Sequence, residues 1–599
     1  MLALVINAAI MAAILILVPQ AYETNDDYAI ALRIVEGETH VGFIDYYLCV
    51  LLVGIQKLIG SWNAFVLFQI AASFAAFVCL TKAFFTAGKG WLANILFVLL
   101  IAVYSFDHYS VIQFTKTAGL LAVIGVLLLI AAVTEKRGLS YFIPGIILMF
   151  IGSAFRIESM VFALAFGGLY FLFWIIGEGR SLKEDGYLTP VRGISLLVAL
   201  VFVAGTFGLF QLSEKVNTGT DALQNYREYD DARTTVVDYP VYDHFKKHPD
   251  EYAEAGITQE DMYLIDNWYL DYDGAATKDR LQTIAKVYKD SHETDASFLF
   301  GTTKKCLRHI YHEVRDLTPT GMHIIILVAL ALFAFARLRP RYWIYVILVG
   351  GGVLFLYWYL FYIQRPAYRA SYVIDWAASI WLLYYIDPCR TWGRNEETGK
   401  IRVVPVITAT LTALVLALAL AGGGYAAYER GFDQAKEIKG KIRPDALAQK
   451  ISEDRSNVYV FSTRLKCNPE TYAKPLKKPE RDRNVFTFGS WGTESPYLLD
   501  RMGEYAMSNV FGDTIDNNKV YVVENKNVDR MEEYMNRWYR AYTGAGRAIL
   551  YDPVDEVDGY KIWQVITAPI QGEEPEAEDE GTGSEGVDEN AGDDDQVAD

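Results

Sequence analysis

Apolar runs of roughly bilayer-spanning length recur through the first 422 residues, at 1–19, 64–85, 91–105, 117–133, 141–155, 159–177, 192–211, 321–338, 341–363, 368–387 and 402–422. A soluble domain breaks its apolar stretches with charge after a few turns. A bilayer core asks for about 20 mostly apolar residues per helix. The pattern predicts a mainly α fold, a polytopic helical membrane domain of about eleven spans. The first run, Met1 to Pro19, has no basic region ahead of it and is long for a signal-peptide core, so it reads as a retained span.

A further apolar stretch, Asp45 to Gly60, could cross or lie in the interface. Charge parity chooses between these. With the N-terminus inside and 45–60 not crossing, five short inner connections carry Lys82 and Lys89; Lys136 and Arg137; Arg180, Lys183 and Arg192; Arg337, Arg339 and Arg341; and Arg390, Arg394, Lys400 and Arg402. The short outer connections then hold only Arg33, Lys57, Lys116, Arg156, Arg365 and Arg369. A crossing 45–60 would invert this and violate the positive-inside rule. The reading is a multi-pass protein of the cell membrane, with a cytoplasmic N-terminus and an extracytoplasmic C-terminus.

Three segments then face outward: 20–63, 212–320 and everything after 422. Residues 423–450 read as a helical stalk. Residues 455–567 alternate strand-like runs (Val458–Ser462, Val485–Gly489, Val520–Glu524, Ala548–Tyr551, Tyr560–Val565) with helical patterns such as Val528–Tyr542, which predicts an extracytoplasmic α/β domain. The expected division is 1–211, a first transmembrane region; 212–320, a loop subdomain; 321–422, a second transmembrane region; 423–570, stalk and α/β domain; and 571–599, a disordered acidic tail.

Composition changes the picture in two places. The formal charge of −17 suggests an acidic protein, but thirteen Asp or Glu and no Lys or Arg fall in 571–599, so the body is nearly balanced. No basic surface for nucleic acid remains. The five cysteines show no CxxC or metal-ligand spacing. Cys306 and Cys467 both fall in outer segments and could pair; the odd count favours unpaired thiols.

Candidate chemistry begins at Tyr22-Glu23-Thr24-Asn25-Asp26-Asp27-Tyr28. Carboxylates at the membrane boundary can hold a divalent cation such as Mg or Mn through oxygen. They can also take a proton from a hydroxyl as general base, or simply sit in water. The loop continues through an amphipathic helix to Gly37, then His40-Val41-Gly42, then the apolar stretch ending Lys57-Leu58-Ile59-Gly60. This order resembles the first extracytoplasmic loop of GT-C-fold glycosyltransferases, membrane enzymes that use polyprenyl-phosphate sugars. In that family an acidic pair follows the first span, then a helix ending near glycine, a His-Pro-Pro-Leu-like segment, and an interfacial helix with a Lys-Leu-Phe-Gly-like turn. Here Phe43-Ile44-Asp45 stands where the family has Pro-Pro. The likeness covers roughly 1–90 by motif and 91–422 by topology alone. It implies a GT-C-type membrane domain, with Asp26 as base or metal ligand, Asp27 supporting it and His40 near substrate. It also implies a polyprenyl-phosphate-linked sugar as donor and a cell-envelope polysaccharide, lipid or protein as acceptor.

A phosphate leaving group needs cationic help, and arginine grips phosphate bidentately. Arg156, in Ser153-Ala154-Phe155-Arg156-Ile157-Glu158, and Arg365 and Arg369, in Gln364-Arg365-Pro366-Ala367-Tyr368-Arg369, sit at outer turns. Their alternatives are a pair with Glu158 for Arg156 and headgroup contact for all three. Asp107 and His108 lie at another outer turn, as acceptor or metal contacts or as solvated residues. Lys116 beside them reads as a phosphate contact or an interfacial anchor. The loop Asn225-Tyr226-Arg227-Glu228-Tyr229-Asp230-Asp231-Ala232-Arg233, with Trp268-Tyr269, suits either a sugar surface or interfacial anchoring. Phe488-Gly489-Ser490-Trp491-Gly492-Thr493 is glycine-rich but lacks both GxGxxG and a P-loop lysine, which argues against a nucleotide site. Two rival classes stand beside the enzyme: a non-enzymatic envelope assembly or scaffold protein, and a transporter. Polar groups gathered at one face argue against transport.

Overall fold

The computed structural model describes residues 1–135, 137–184, 190–270, 274–291, 296–386, 403–439, 443–461, 483–525, 528–543 and 546–569. The acidic tail, Cys389, Cys467, Lys136, Arg390, Arg394, Lys400 and Arg402 lie outside these residues, and with them any Cys306–Cys467 pairing. The side chains of Arg180, Lys183 and Arg192 lie outside them too.

Among the described residues eight helices are long and apolar enough to cross a membrane: Ala64–Thr86, Trp91–Tyr109, Phe114–Thr134, Ile157–Ile176, Gly193–Asn217, Pro319–Arg337, Pro340–Tyr362 and Val403–Lys439. Leu2–Leu17, Tyr46–Ile59 and Leu139–Phe155 are apolar but shorter. The run at 368–387 forms the helix Tyr368–Tyr385. It carries Arg369 and Asp375, and every side chain from Ser371 to Tyr385 is buried, so its apolar character serves the protein interior. Tyr46–Ile59 has 14 residues, roughly 21 Å of helix against a hydrocarbon core of about 30 Å. Its start is pinned sideways: Asp45 accepts from Tyr47 N at 2.9 Å, Asp45 N donates to Ala154 O at 2.8 Å, and Tyr46 N donates to Ser213 Oγ at 2.9 Å.

The two ends of the bundle differ. At one end Lys89 Nζ donates to Tyr384 O at 2.6 Å, and Arg137 donates to Thr86 O at 2.5 Å. At the opposite ends of the same helices lie Asp107, Lys116, Arg156 and Arg369. There a two-residue parallel ladder joins β1 (Ala21–Tyr22) to β2 (Val111–Ile112), tying the loop after the first helix to the turn after Trp91–Tyr109.

The stalk is a continuation of the last apolar helix. Val403–Lys439 is one helix of 37 residues, roughly 55 Å long, well beyond a bilayer core of about 30 Å. It leads to a five-stranded sheet of β3 (Val458–Phe461), β4 (Val485–Thr487), β5 (Val520–Val523), β6 (Arg547–Val557) and β7 (Tyr560–Pro569), in the order β4-β3-β5-β7-β6. β3 runs parallel to β4 and β5; β7 is antiparallel to β5 and β6. All five strand-like runs in the sequence are strands here. The loop segment is not a separate subdomain: Tyr229, Tyr252, Leu264 and Leu281 share one apolar core with Val458, Phe488, Met535 and Val565. The described residues of 221–291 therefore complete the C-terminal body, burying the apolar faces of the loop helices against the sheet and its helices.

Candidate functional site

The helix Asn25–Glu36 opens with Asp26 and Asp27 in its first turn, where the helix dipole favours carboxylates. It stops at Gly37, whose φ of 94° closes the helix in the left-handed conformation. The two acids, adjacent in sequence, have different surroundings. Asp27 is fully buried; its Oδ1 accepts from Phe114 N at 2.9 Å and its Oδ2 from Thr24 Oγ1 at 2.7 Å. Burial pushes its carboxyl up to about 8, against the pull of both hydrogen bonds. Asp27 is thus a peg that fixes this helix to the start of Phe114–Thr134. Asp26 is half-buried and makes no hydrogen bond or ion pair among the described residues. Burial raises its pKa above the ordinary carboxylate value. The Arg369 guanidinium is the chief opposing influence, Asp238 adds to the rise, and Arg233 and Arg156 oppose it further.

Arg369 stands in the first turn of Tyr368–Tyr385 and likewise makes no hydrogen bond or ion pair among the described residues. Arg365 is committed to Asp238 at 2.9 Å. Arg156 takes the partner its sequence neighbourhood offered, Glu158 at 3.5 Å, and reaches Thr115 Oγ1 at 3.4 Å. Arg156 also lines a cavity of about 210 Å³ with His40, Phe43, Glu158, Tyr226 and Asp230. His40 is anchored there by Asn217, Nδ1 to Oδ1 at 3.1 Å. Asp26, Arg156, Arg365 and Arg369, far apart in sequence, therefore gather at one end of the bundle.

Asp107, His108 and Lys116 depart from the solvated or anchoring roles open to them in the sequence. All three are buried. Lys116 Nζ lies 2.5 Å from Asp107 Oδ1 and 2.6 Å from Glu23 Oε2, and donates to Val111 O at 2.7 Å. Arg430, from the stalk helix, pairs with Glu23 at 3.0 Å and also with Asp107. Two anions and two cations thus neutralise one another out of water, which is tolerable only when each is fully paired. Burial pushes the Glu23 carboxyl up, but the Lys116 ammonium and the Arg430 guanidinium overcome this and hold it below the usual range. His108 Nε2 bonds Tyr372 OH at 2.8 Å. The ladder explains the burial: β1 and β2 bring Glu23 over the turn that carries Asp107. This network touches the candidate site on both sides, since Glu23 lies three residues before Asp26 and Tyr368, whose OH donates to Asp107 at 3.1 Å, directly precedes Arg369.

A third layer comes from the C-terminal body. Arg33, buried on the helix Asn25–Glu36, has its guanidinium carbon 4.2 Å from the Trp491 ring centre and 4.9 Å from that of Tyr497. Trp491 packs edge-on against Phe43 at 4.7 Å, and its carbonyl accepts from Tyr226 OH at 3.1 Å. The glycines of Phe488–Thr493 serve this contact. A Cβ on Gly489 would collide with the Trp268 carbonyl, and one on Gly492 with the Arg33 guanidinium.

Among the described residues no group of three His, Cys, Asp or Glu could hold a metal ion. Both Asp27 oxygens are engaged, Glu23 and Asp107 are neutralised by Lys116 and Arg430, and Asp26 lies in the field of guanidinium groups. This donor set does not fit a divalent cation. Glu23, Arg430, Arg33 and Trp491 were not legible as site residues. Arg430 is one charge among many on a polar helix, and only the ladder and the length of that helix bring it to Glu23.

The chain matches no protein-family model, no curated protein and no solved structure.

Proposed function

We propose that the chain is a membrane glycosyltransferase that moves a sugar from a polyprenyl-phosphate donor to a cell-envelope acceptor on the outer face of the cell membrane. The observation that carries this reading is an uncommitted carboxylate, Asp26, whose chief cationic influence is an uncommitted guanidinium, Arg369, at the end of an apolar bundle where Arg156 lines a polar cavity. The likeness of residues 1–90 to the first outer loop of GT-C-fold enzymes supports the same assignment, as does the acid–arginine–histidine composition of the cavity rim. The about eleven spans and the orientation with a cytoplasmic N-terminus belong to this reading, and the basic residues Lys89 and Arg137 at the opposite end of the bundle agree with it.

In this reaction the acceptor hydroxyl oxygen attacks the anomeric carbon, and the bond from that carbon to the phosphate oxygen breaks. The hydroxyl proton passes to Asp26, whose raised pKa makes it a stronger base than a solvated aspartate. The electron pair leaves with the polyprenyl phosphate, whose growing charge is met by Arg369, with Arg156 and Arg365 adding positive field. Attack opposite to the departing phosphate inverts the anomeric carbon. Asp27 holds Asp26 in place and takes no part in proton transfer.

The test is sugar transfer by purified Asp26→Asn protein in proteoliposomes loaded with a polyprenyl-phosphate sugar. Removing a general base costs about 10²–10⁴-fold in rate, so transfer falls by that amount while folding and insertion persist. Undiminished transfer by Asp26→Asn would remove Asp26 as the base, and no transfer by the unaltered protein would end the enzyme reading and leave the envelope scaffold in its place.

A further inference from the structure

Ala296–Arg315 carries three distinct sides. One packs on the membrane helices: Trp358 Nε1 donates to Thr303 Oγ1 at 3.0 Å, the Phe298 and Tyr362 rings lie 5.9 Å apart, His309 and Phe361 lie 5.1 Å apart, and Cys306 is buried. A second side is apolar and uncovered. Phe300, Leu307 and Tyr311, at i, i+7 and i+11, are 74%, 59% and 61% exposed. Lys304 borders this stripe and Arg308 and Lys305 continue away from it as a basic third side; all three are exposed and have no ion pair among the described residues.

Two further observations say what covers the apolar side. Ala296–Arg315 is joined to the apolar helix Pro319–Arg337 by three residues only, 316–318, at most about 10 Å of extended chain. Thr318 caps that second helix by accepting from Gly321 N at 3.1 Å. Ala296–Arg315 therefore cannot leave the level where Pro319–Arg337 ends. Its two packing partners also bear exposed Val328, Leu332, Leu354 and Phe355, the lipid-facing positions of membrane helices.

We propose that Ala296–Arg315 is an interfacial helix that buries Phe300, Leu307 and Tyr311 among acyl chains and recruits anionic lipid headgroups through Lys304, Lys305 and Arg308. An apolar stripe bordered by cations is the arrangement that anionic membrane surfaces bind. This assignment stands apart from the glycosyltransferase reading and survives its loss.

The test uses full-length protein carrying Cys79→Ser, Cys389→Ser and Cys467→Ser, which keeps only the buried Cys49 and Cys306, reconstituted into vesicles of equimolar phosphatidylcholine and phosphatidylglycerol. A bimane fluorophore is attached through Leu307→Cys, Phe300→Cys or Lys305→Cys, and brominated acyl chains serve as quencher. Strong quenching at 307 and 300 with weak quenching at 305 is the expected result. Equal quenching at all three, or protection at 307 that appears only at high protein-to-lipid ratio, would overturn it; the latter would mean that a second copy covers the face. Brominated phosphatidylglycerol should quench 307 more than brominated phosphatidylcholine. Replacing Lys304, Lys305 and Arg308 by Gln should bring the ratio of the two quenching efficiencies towards one. No preference in the starting protein would overturn the anionic-lipid assignment.

Discussion

The guanidinium carbon of Arg430 lies 3.7 Å from the centre of the Tyr368 ring. One residue of the stalk helix thus grips the residue before Arg369, while its ion pair with Glu23 grips the loop just before Asp26. The stalk that carries the C-terminal body is thereby fastened to both halves of the candidate site.

Arg430→Gln leaves three buried charges with a net negative excess. Breaking one partner out of a buried ion pair costs about 3–5 kcal/mol, so thermal unfolding in detergent should move down sharply. Glu23→Gln combined with Arg430→Met restores neutrality and should recover much of the loss. Additive destabilisation in the double variant would show that the two groups are not coupled.

Asp27 makes stability depend on pH in an unusual direction. Its folded pKa of about 8 lies above the ordinary carboxylate value, so between roughly pH 4 and pH 8 the folded state holds a proton that the unfolded state has released. Stability should therefore fall as pH rises through that window and level off above it. Asp27→Asn, which keeps an acceptor for Phe114 N, should make this slope much shallower, leaving the smaller share of Asp26. Denaturation midpoints across the window check both statements.

Trp491→Ala removes the ring that covers Arg33 and packs on Phe43. A cation–π contact of this kind is worth about 0.5–2 kcal/mol, and the lost packing adds to it. Hydrogen exchange should rise in residues 25–36 and 489–497 together, while Phe114–Thr134 stays protected. A rise confined to 489–497 would show that the C-terminal body does not brace the first loop.

How far the sequence carried depended on the range of the interaction. The apolar runs, the five strands and the short helix Tyr46–Ile59 follow from local pattern, and each is present. The acidic pair was visible, but its division of labour was not: Asp27 is buried because Phe114 N, 87 residues away, needs an acceptor. Asp107 and Lys116 looked like turn residues because nothing nearby in sequence neutralises them; their partners Glu23 and Arg430 arrive through the ladder and the stalk. Tyr368–Tyr385 has a polar–apolar mixture because its side chains from Ser371 on pack against other helices, which the local pattern alone does not disclose.

If Asp26 and Arg369 share one reaction space, the pH profile of transfer records it. The acid limb of kcat/KM for sugar transfer from a polyprenyl-phosphate donor should lie above the ordinary aspartate range, because burial holds Asp26 up. Arg369→Gln removes the cation that most opposes that rise, so the limb should move to still higher pH as transfer slows. A limb that stays in place, or moves to lower pH, would show that Asp26 and Arg369 do not act on the same substrate.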